Sequence, residues 1–77
     1  MEESSIFIGI DVSKARLDVA IRPSGESESV ANDKTGIKAL VKHLGEIQPA
    51  LIVLEATGGV ERQLTCALAR AGLPVVV

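Results

Sequence analysis

The sequence predicts an α/β fold with a mixed sheet, built in the order βββαβαβ. Three short apolar or alternating segments come first, and two segments with apolar residues at helical spacing follow, each leading into another apolar segment. The chain of 77 residues allows one small domain. Because 47% of the residues are hydrophobic but only 1% are aromatic, the core must be built from aliphatic side chains. That composition suits a sheet covered by helices better than a disulfide scaffold.

The first half of the chain predicts three strands. Residues 5–12 are apolar on both faces, as in a central strand that is buried on both sides. Residues 13–15 are short enough for a hairpin loop, and Arg16–Arg22 alternates between apolar and polar residues. This second strand should therefore pair antiparallel with the first. A turn at residues 23–26 leads to a polar strand at 27–32, which suits the edge of the sheet.

A first helix is predicted after the helix-start residues 32–36, and Gln48-Pro49 ends it. Its apolar positions repeat at helical spacing: Ile37, Leu40, Val41, Leu44 and Ile47. Residues 50–56 then form a second central strand, apolar on both faces until Glu55. Because it follows a helix, this strand should lie parallel beside the first through a crossover connection.

A second helix is predicted from about residue 60 to residue 71, with Thr57 as a candidate cap. Its buried side is predicted to hold Val60, Leu64, Ala67, Leu68 and Ala71. Gly72 suits the position just after the helix, with Pro74 beyond it. Residues 73–77 begin another buried strand. Since no connection or polar cap follows it, we expect residues 1–77 to be the N-terminal part of a longer protein, truncated after its fifth strand.

Charge and cysteine content exclude several classes of protein. The net charge of −2 gives no support for nucleic-acid binding, so such a function would need a basic surface elsewhere on the molecule. The single cysteine, Cys66, excludes an internal disulfide and fits a reducing cytoplasm. No apolar run approaches the ~20 residues that span a membrane. The acidic residues 1–5 do not begin a signal peptide. We expect a soluble, cytoplasmic protein.

Two acids stand at the ends of the two predicted central strands. Asp11 is near the end of the first strand and Glu55 near the end of the second. A carboxylate beside a core is costly unless a metal, a hydrogen-bond network or catalysis compensates it. If the strands are parallel neighbours, both acids project from one end of the sheet, where open α/β sheets place their sites. Two carboxylates there can hold a divalent cation of the kind used in phosphodiester chemistry.

Each candidate also has a purely structural interpretation. Asp11 could open a turn, and Glu55 could interact with the dipole of the following helix. Asp18 lies mid-strand and outward, so we interpret it as a solvated residue. The turn Thr57-Gly58-Gly59 could bind phosphate at a helix N-terminus, but a structural turn is favoured because the P-loop pattern is missing. Lys14 is interpreted as an exposed loop residue, His43 as an inert residue on the exposed side of the helix, and Cys66 as an unactivated thiol.

Two motifs in this order resemble those of a known family. The segment IGIDVSK at residues 8–14, with LDVA at 17–20, resembles the start of DEDD-type insertion-sequence transposases. LEATGG at residues 54–59, ER at 61–62 and AGLPVVV at 71–77 resemble a later stretch of the same domain. The catalytic domain of that family is similar to the RuvC Holliday-junction resolvase and has a ribonuclease H-like fold. The βββαβαβ order read from the residues agrees with the first half of such a fold.

The resemblance implies a role for each acid. Asp11 corresponds to the first D of the DEDD tetrad and Glu55 to its E, and both would be catalytic residues that bind Mg²⁺. Val60 departs from the pattern, since the family usually has an aromatic residue after the glycine pair. The last two aspartates and the second domain, with its serine region implicated in strand transfer, would lie beyond residue 77. We therefore expect the fragment to be catalytically inactive and its metal site to be empty.

The resemblance also implies partners for the full-length protein. These are the DNA of the element ends and of the target and, in at least some members, an element-encoded guide RNA, with no membrane. The exposed last strand should pair with another copy, so a homo-oligomer is expected.

Two other functions stay open. An actin-like or sugar-kinase ATPase begins similarly, although residues 11–15 lack the glycine that a phosphate-binding turn needs. A non-catalytic ribonuclease H-like oligomerisation module would keep the fold without the chemistry.

Overall fold

A computed structural model describes residues 5–56 and 58–77 of the chain. It has an α/β fold with one five-stranded mixed sheet and two helices, in the predicted order βββαβαβ. The elements are β1 (Phe7–Val12), β2 (Arg16–Arg22), β3 (Ser27–Ala31), α1 (Lys34–Ile47), β4 (Leu51–Ala56), α2 (Arg62–Arg70) and β5 (Val75–Val76).

The strands are arranged in the spatial order β3-β2-β1-β4-β5. β1, β2 and β3 form an antiparallel meander, and β4 pairs parallel with β1 through the crossover that contains α1. β5 pairs parallel with β4. The predicted hairpin, edge strand and parallel crossover are therefore confirmed, and β1 and β4 occupy the middle of the sheet.

Helix α1 begins and ends where its local sequence requires. The Asp33 carboxylate accepts a hydrogen bond from the backbone amide of Gly36 at 2.7 Å and so caps the first turn. At the other end Gln48 adopts a left-handed conformation, with φ of 56°, and Pro49 follows it. Between the two caps, Ile37, Leu40 and Leu44 are buried against the sheet. The predicted apolar side of this helix is confirmed.

Helix α2 begins later than predicted. Its first residue is Arg62 and its N-cap is Glu61, whose side chain makes no capping hydrogen bond. The candidate cap Thr57 lies outside the described residues. The C-terminus follows the prediction, since Gly72 has a φ of 77° and donates to the Ala69 carbonyl while Leu73 donates to the Leu68 carbonyl. Ala71, which was predicted to be buried, is exposed at this C-cap.

The core lies on one side of the sheet only. Alternate residues of β1, β2 and β4 pack against both helices and are almost fully buried, among them Ile8, Ile10, Leu17, Val19, Ile52 and Leu54. On the other side Phe7 is 48% exposed and Val53 is 39% exposed. The prediction that β1 and β4 are buried on both faces is therefore wrong. We call the uncovered side, formed by residues 7, 9 and 11 of β1 with their neighbours in register, the open face.

The final strand is also less buried than predicted. β5 contains only two residues, and Val76 is 48% exposed on the open face beside Val53. Val77, at 66% exposure, lies beyond the strand. The sheet therefore ends in a short apolar edge strand.

Within the described ranges, no helix has the length and apolar character needed to cross a membrane.

Candidate functional site

Asp11 and Glu55 are neighbours in the structure. The parallel register of β1 and β4 places these two residues directly opposite each other, so their side chains project from the same face. Both belong to the open face and both are exposed. Because adjacent strands are about 4.8 Å apart, the two carboxylates start from backbone positions that can serve one cation. The predicted juxtaposition at one end of the sheet is confirmed.

Because the two acids are exposed, the cost of placing a carboxylate beside a core is no longer evidence for their function. We expected them to border a core, where an unpaired carboxylate is costly. In the structure no charged or polar side chain is buried among the described residues, and both acids face solvent. Burial therefore does not distinguish either acid from other surface carboxylates, and any functional argument must come from their juxtaposition. The unfavourable term that remains is the repulsion of two like charges opposite each other on neighbouring strands.

Asp18 joins the same row of acids. The antiparallel register of β1 and β2 places Asp18 directly opposite Asp11, on the side away from Glu55. Its carboxylate accepts a short hydrogen bond from the Ser29 hydroxyl and lies 3.3 Å from the Arg16 guanidinium. The interpretation of Asp18 as an outward residue is confirmed. The sequence did not reveal that three acids lie side by side on one face, on the neighbouring strands β2, β1 and β4.

The hairpin register explains why this third acid was missed. Asp18 faces Asp11 only because the turn places Val12 opposite Leu17. There the Ser13 amide donates to the Arg16 carbonyl at 2.9 Å, and the Ser13 hydroxyl donates to the same oxygen. A loop one residue longer or shorter would move Asp18 away from Asp11. The loop length is therefore the signal that could have predicted this contact.

The three acids border a shallow depression of about 400 Å³ on the open face. Its floor includes Gly9, where an added Cβ would meet no atom within 4 Å, and the small side chain of Ala20. Arg22 stands at the opposite end of the depression from the acids. The surface beside Asp11 and Glu55 is therefore open, with room for part of an extended ligand such as one strand of a nucleic acid.

The donor set suits a hard cation, but it is incomplete. Carboxylate oxygens are the ligands that Mg²⁺ takes from proteins, usually one or two of them together with water and substrate phosphate. Among residues 5–56 and 58–77, no three His, Cys, Asp or Glu side chains come together closely enough to hold a metal. Asp18 is engaged by Ser29 and Arg16 instead. The candidate site is thus a pair of carboxylates, those of Asp11 and Glu55, with a third carboxylate beside it.

The remaining candidates from the sequence lie elsewhere. Lys14 is exposed in the β1–β2 loop, and Cys66 is a free, exposed thiol on α2. His43 lies on the exposed side of α1, as predicted, and its Nδ1 is 3.0 Å from a Glu28 carboxylate oxygen. This pair is on the helix side of the sheet, because Glu28 is in register with Val19.

The glycine pair after β4 forms a turn. Gly58 and Gly59 both have positive φ angles, 72° and 78°, a backbone conformation that L side chains rarely adopt. A structural requirement for glycine is therefore present at both positions. Thr57, the first residue of the motif, lies outside the described residues, so the phosphate-binding interpretation of the turn stays a prediction.

Neither a family model nor a curated protein matches this chain.

Proposed function

We propose that this chain is the N-terminal part of the catalytic domain of a DEDD-type transposase, with a partial ribonuclease H-like fold. In this proposal Asp11 and Glu55 are two of the acids of a Mg²⁺-dependent centre that cleaves and transfers DNA strands. The observation that carries the proposal is their direct pairing in register on the two central parallel strands, facing the same open side.

The topology supports the same proposal. An antiparallel meander followed by two parallel strands, in the spatial order β3-β2-β1-β4-β5, is the arrangement expected for the first half of a ribonuclease H-like sheet. In that arrangement the first and fourth strands are adjacent, and these are the strands that carry the two acids. The motif resemblance and the strand pairing are separate observations that lead to the same two residues.

The chemistry assigned to the two acids follows from the cation that a pair of carboxylates binds. Asp11 and Glu55 would hold Mg²⁺, which would supply Lewis-acid activation of the attacking oxygen and charge stabilisation of the leaving oxygen of a phosphodiester. The role of this chain would be to present two carboxylates side by side from adjacent strands of one sheet. The open depression beside them leaves room for the scissile strand.

The pair alone does not complete a catalytic centre. Two carboxylates leave most of the Mg²⁺ coordination shell to water, and phosphodiester chemistry of this type uses additional acids. In the proposal, the full-length protein supplies two further aspartates and acts on DNA as a homo-oligomer, with a guide RNA in some members. The 77-residue chain by itself is inactive.

The proposal is tested by substituting Asp11→Asn and Glu55→Gln separately in the full-length protein that carries this chain. Each substitution keeps the shape of the side chain and removes its charge. We expect strand cleavage to fall by at least ~100-fold in each variant, since removal of a charge that stabilises the transition state has effects of this size. Binding of the DNA substrate should persist.

A matched control is Glu26→Gln, which removes an exposed acid from the β2–β3 turn, away from the row of acids. It should leave cleavage unchanged. Cleavage by Asp11→Asn at the level of this control would contradict the proposal and would favour a non-catalytic oligomerisation module. Tight Mg²⁺-dependent ATP binding without DNA cleavage would favour the ATPase alternative.

A further inference from the structure

Five of the eight cationic residues of this chain belong to its two helices. Helices α1 and α2 together contain five cationic residues, Lys34, Lys38, Lys42, Arg62 and Arg70, and one acid, Glu46. The chain as a whole has a net charge of −2, so the helices carry about +4 and everything else about −6. Three more acids lie on the same side of the sheet, the N-cap residues Asp33 and Glu61 and the β3 residue Glu28, so the positive charge is concentrated locally on the helices.

The cations of α1 form a regular row. Lys34, Lys38 and Lys42 are four residues apart, which places them along one side of the helix at intervals of about 6 Å. All three are exposed, and none forms an ion pair within the part of the chain that the structure describes. Their charge is thus available to a ligand rather than neutralised by neighbouring acids.

A groove of about 460 Å³ runs between the two helices beside this row. Lys34 and Lys38 line it from α1 and Arg70 lines it from α2, while Ile37, Val41 and Ala67 contribute apolar atoms. We call this groove, together with Lys42, the basic groove. It combines a concave shape with cations from two elements, and such a surface attracts a phosphate backbone.

We propose that the basic groove binds the phosphate backbone of duplex DNA. The inference goes beyond the proposed function and holds whether or not Asp11 and Glu55 are catalytic. Helices α1 and α2 pack on the side of the sheet opposite to the open face. The duplex segment in the groove is therefore distinct from the strand that would lie at the two acids.

The composition of this surface favours a duplex over single-stranded nucleic acid. Proteins that bind single strands stack bases on aromatic side chains. The only Phe, Tyr or Trp of the chain is Phe7, which lies on the open face. The imidazole of His43 is engaged by Glu28. The groove therefore offers charge without a stacking platform, and binding through it should be independent of base sequence.

The same surface is poorly suited to a lipid bilayer. Helices that lie in a membrane interface insert large apolar side chains between the lipids. The exposed large hydrophobic residues of the described chain are Phe7, Val53, Val76 and Val77, and none of them belongs to α1 or α2. The groove should therefore bind duplex DNA more tightly than an anionic membrane.

The test is fluorescence anisotropy of a labelled duplex of mixed sequence, titrated with the 77-residue chain at several NaCl concentrations. The triple variant Lys34→Gln, Lys38→Gln, Lys42→Gln should bind at least ~10-fold more weakly at low salt. The slope of log K against log salt should fall by about 2 to 3, because each phosphate contact contributes ~0.9 on a duplex. Circular dichroism should show that the variant keeps its helices.

A matched control removes the same charge from the sheet side, with Lys14→Gln, Arg16→Gln and Arg22→Gln. It should change the affinity by less than about 3-fold and leave the slope unchanged. Equal weakening by both triple variants would overturn the proposal, because it would show only a dependence on net charge. Preference for the single strand, or equally tight binding to vesicles containing phosphatidylserine, would also overturn it.

The two proposals fail separately in this experiment. Asp11→Asn should bind the duplex as tightly as the unsubstituted chain in magnesium-free buffer, whatever its effect on cleavage. A loss of duplex binding in Asp11→Asn would instead place the DNA on the open face and contradict the role of the basic groove.

Discussion

Helix α1 contains two glycines, Gly36 and Gly45, and only Gly36 lies where a side chain would not fit. A Cβ at Gly36 would overlap the carbonyl oxygen of Ala31 and lie 2.9 Å from its carbonyl carbon. Because the obstacle is backbone at the end of β3, it can move only if the strand and the helix separate. We expect Gly36→Ala to lower the free energy of unfolding by about 1–3 kcal/mol in urea denaturation, although alanine is the better helix former.

Gly45 is the matched control in the same helix. A Cβ there would meet no atom within 4 Å, and the residue is exposed. Gly45→Ala should therefore raise the free energy of unfolding by about 0.5–1 kcal/mol, the ordinary gain from replacing glycine inside a helix. Similar effects of the two substitutions would contradict the close approach of α1 to Ala31.

At the scale of the elements, the central strand β4 tests the one-sided core. Ile52 is fully buried beneath the helices, whereas its neighbour Val53 is 39% exposed on the open face. Ile52→Thr buries a hydroxyl in place of apolar volume and should cost about 2–4 kcal/mol in urea denaturation. Val53→Thr should change stability by no more than about 0.5 kcal/mol. A comparable cost at Val53, increasing with protein concentration, would show that a second copy covers the open face.

Sequence periodicity predicted the elements well because each local pattern had one physical interpretation. The alternation in Arg16–Arg22 indicated a half-buried strand, and the short loop before it indicated an antiparallel partner. Asp33 marked the start of α1 and Gly72 the end of α2. The open face could not be predicted in the same way. Phe7 and Val53 make β1 and β4 apolar on both sides, and sequence alone does not say whether anything covers the second side.

The candidate site was predictable in part, because the order of the elements determines which strands are neighbours. The crossover after α1 makes β1 and β4 parallel neighbours, so the proximity of Asp11 and Glu55 followed from topology. Their exposure did not follow, because it depends on the uncovered face. Asp18 joined the row through the exact hairpin register, which a pattern of alternation leaves undetermined by a residue or more.

At the scale of the whole molecule, the two sides of the sheet carry different candidate sites. The open face carries the row of acids, and the helices on the other side carry the basic groove. A net charge of −2 is compatible with the proposed duplex binding, because a partner responds to the local surface potential rather than to the sum of charges. Each surface can therefore be altered without the other.

The acid pair is also a property of the whole fold. Asp11 and Glu55 are far apart in the sequence and become neighbours only when α1 packs on the sheet and brings β4 beside β1. The unfolded chain has two separate carboxylates, which bind a divalent cation much more weakly than a pair. Joint cation binding by the two acids can be tested on the 77-residue chain at a cation concentration high enough to occupy a site that lacks its other ligands.

The most direct measurement is paramagnetic broadening by Mn²⁺ in the ¹H–¹⁵N spectrum of the folded chain. At about millimolar Mn²⁺, broadening should centre on the amides around Asp11 and Glu55 and should be largely lost in either Asp11→Asn or Glu55→Gln. Glu46→Gln, an exposed acid on α1, should leave it unchanged. Broadening spread evenly over all exposed acids, or retained in full after either substitution, would contradict a shared site.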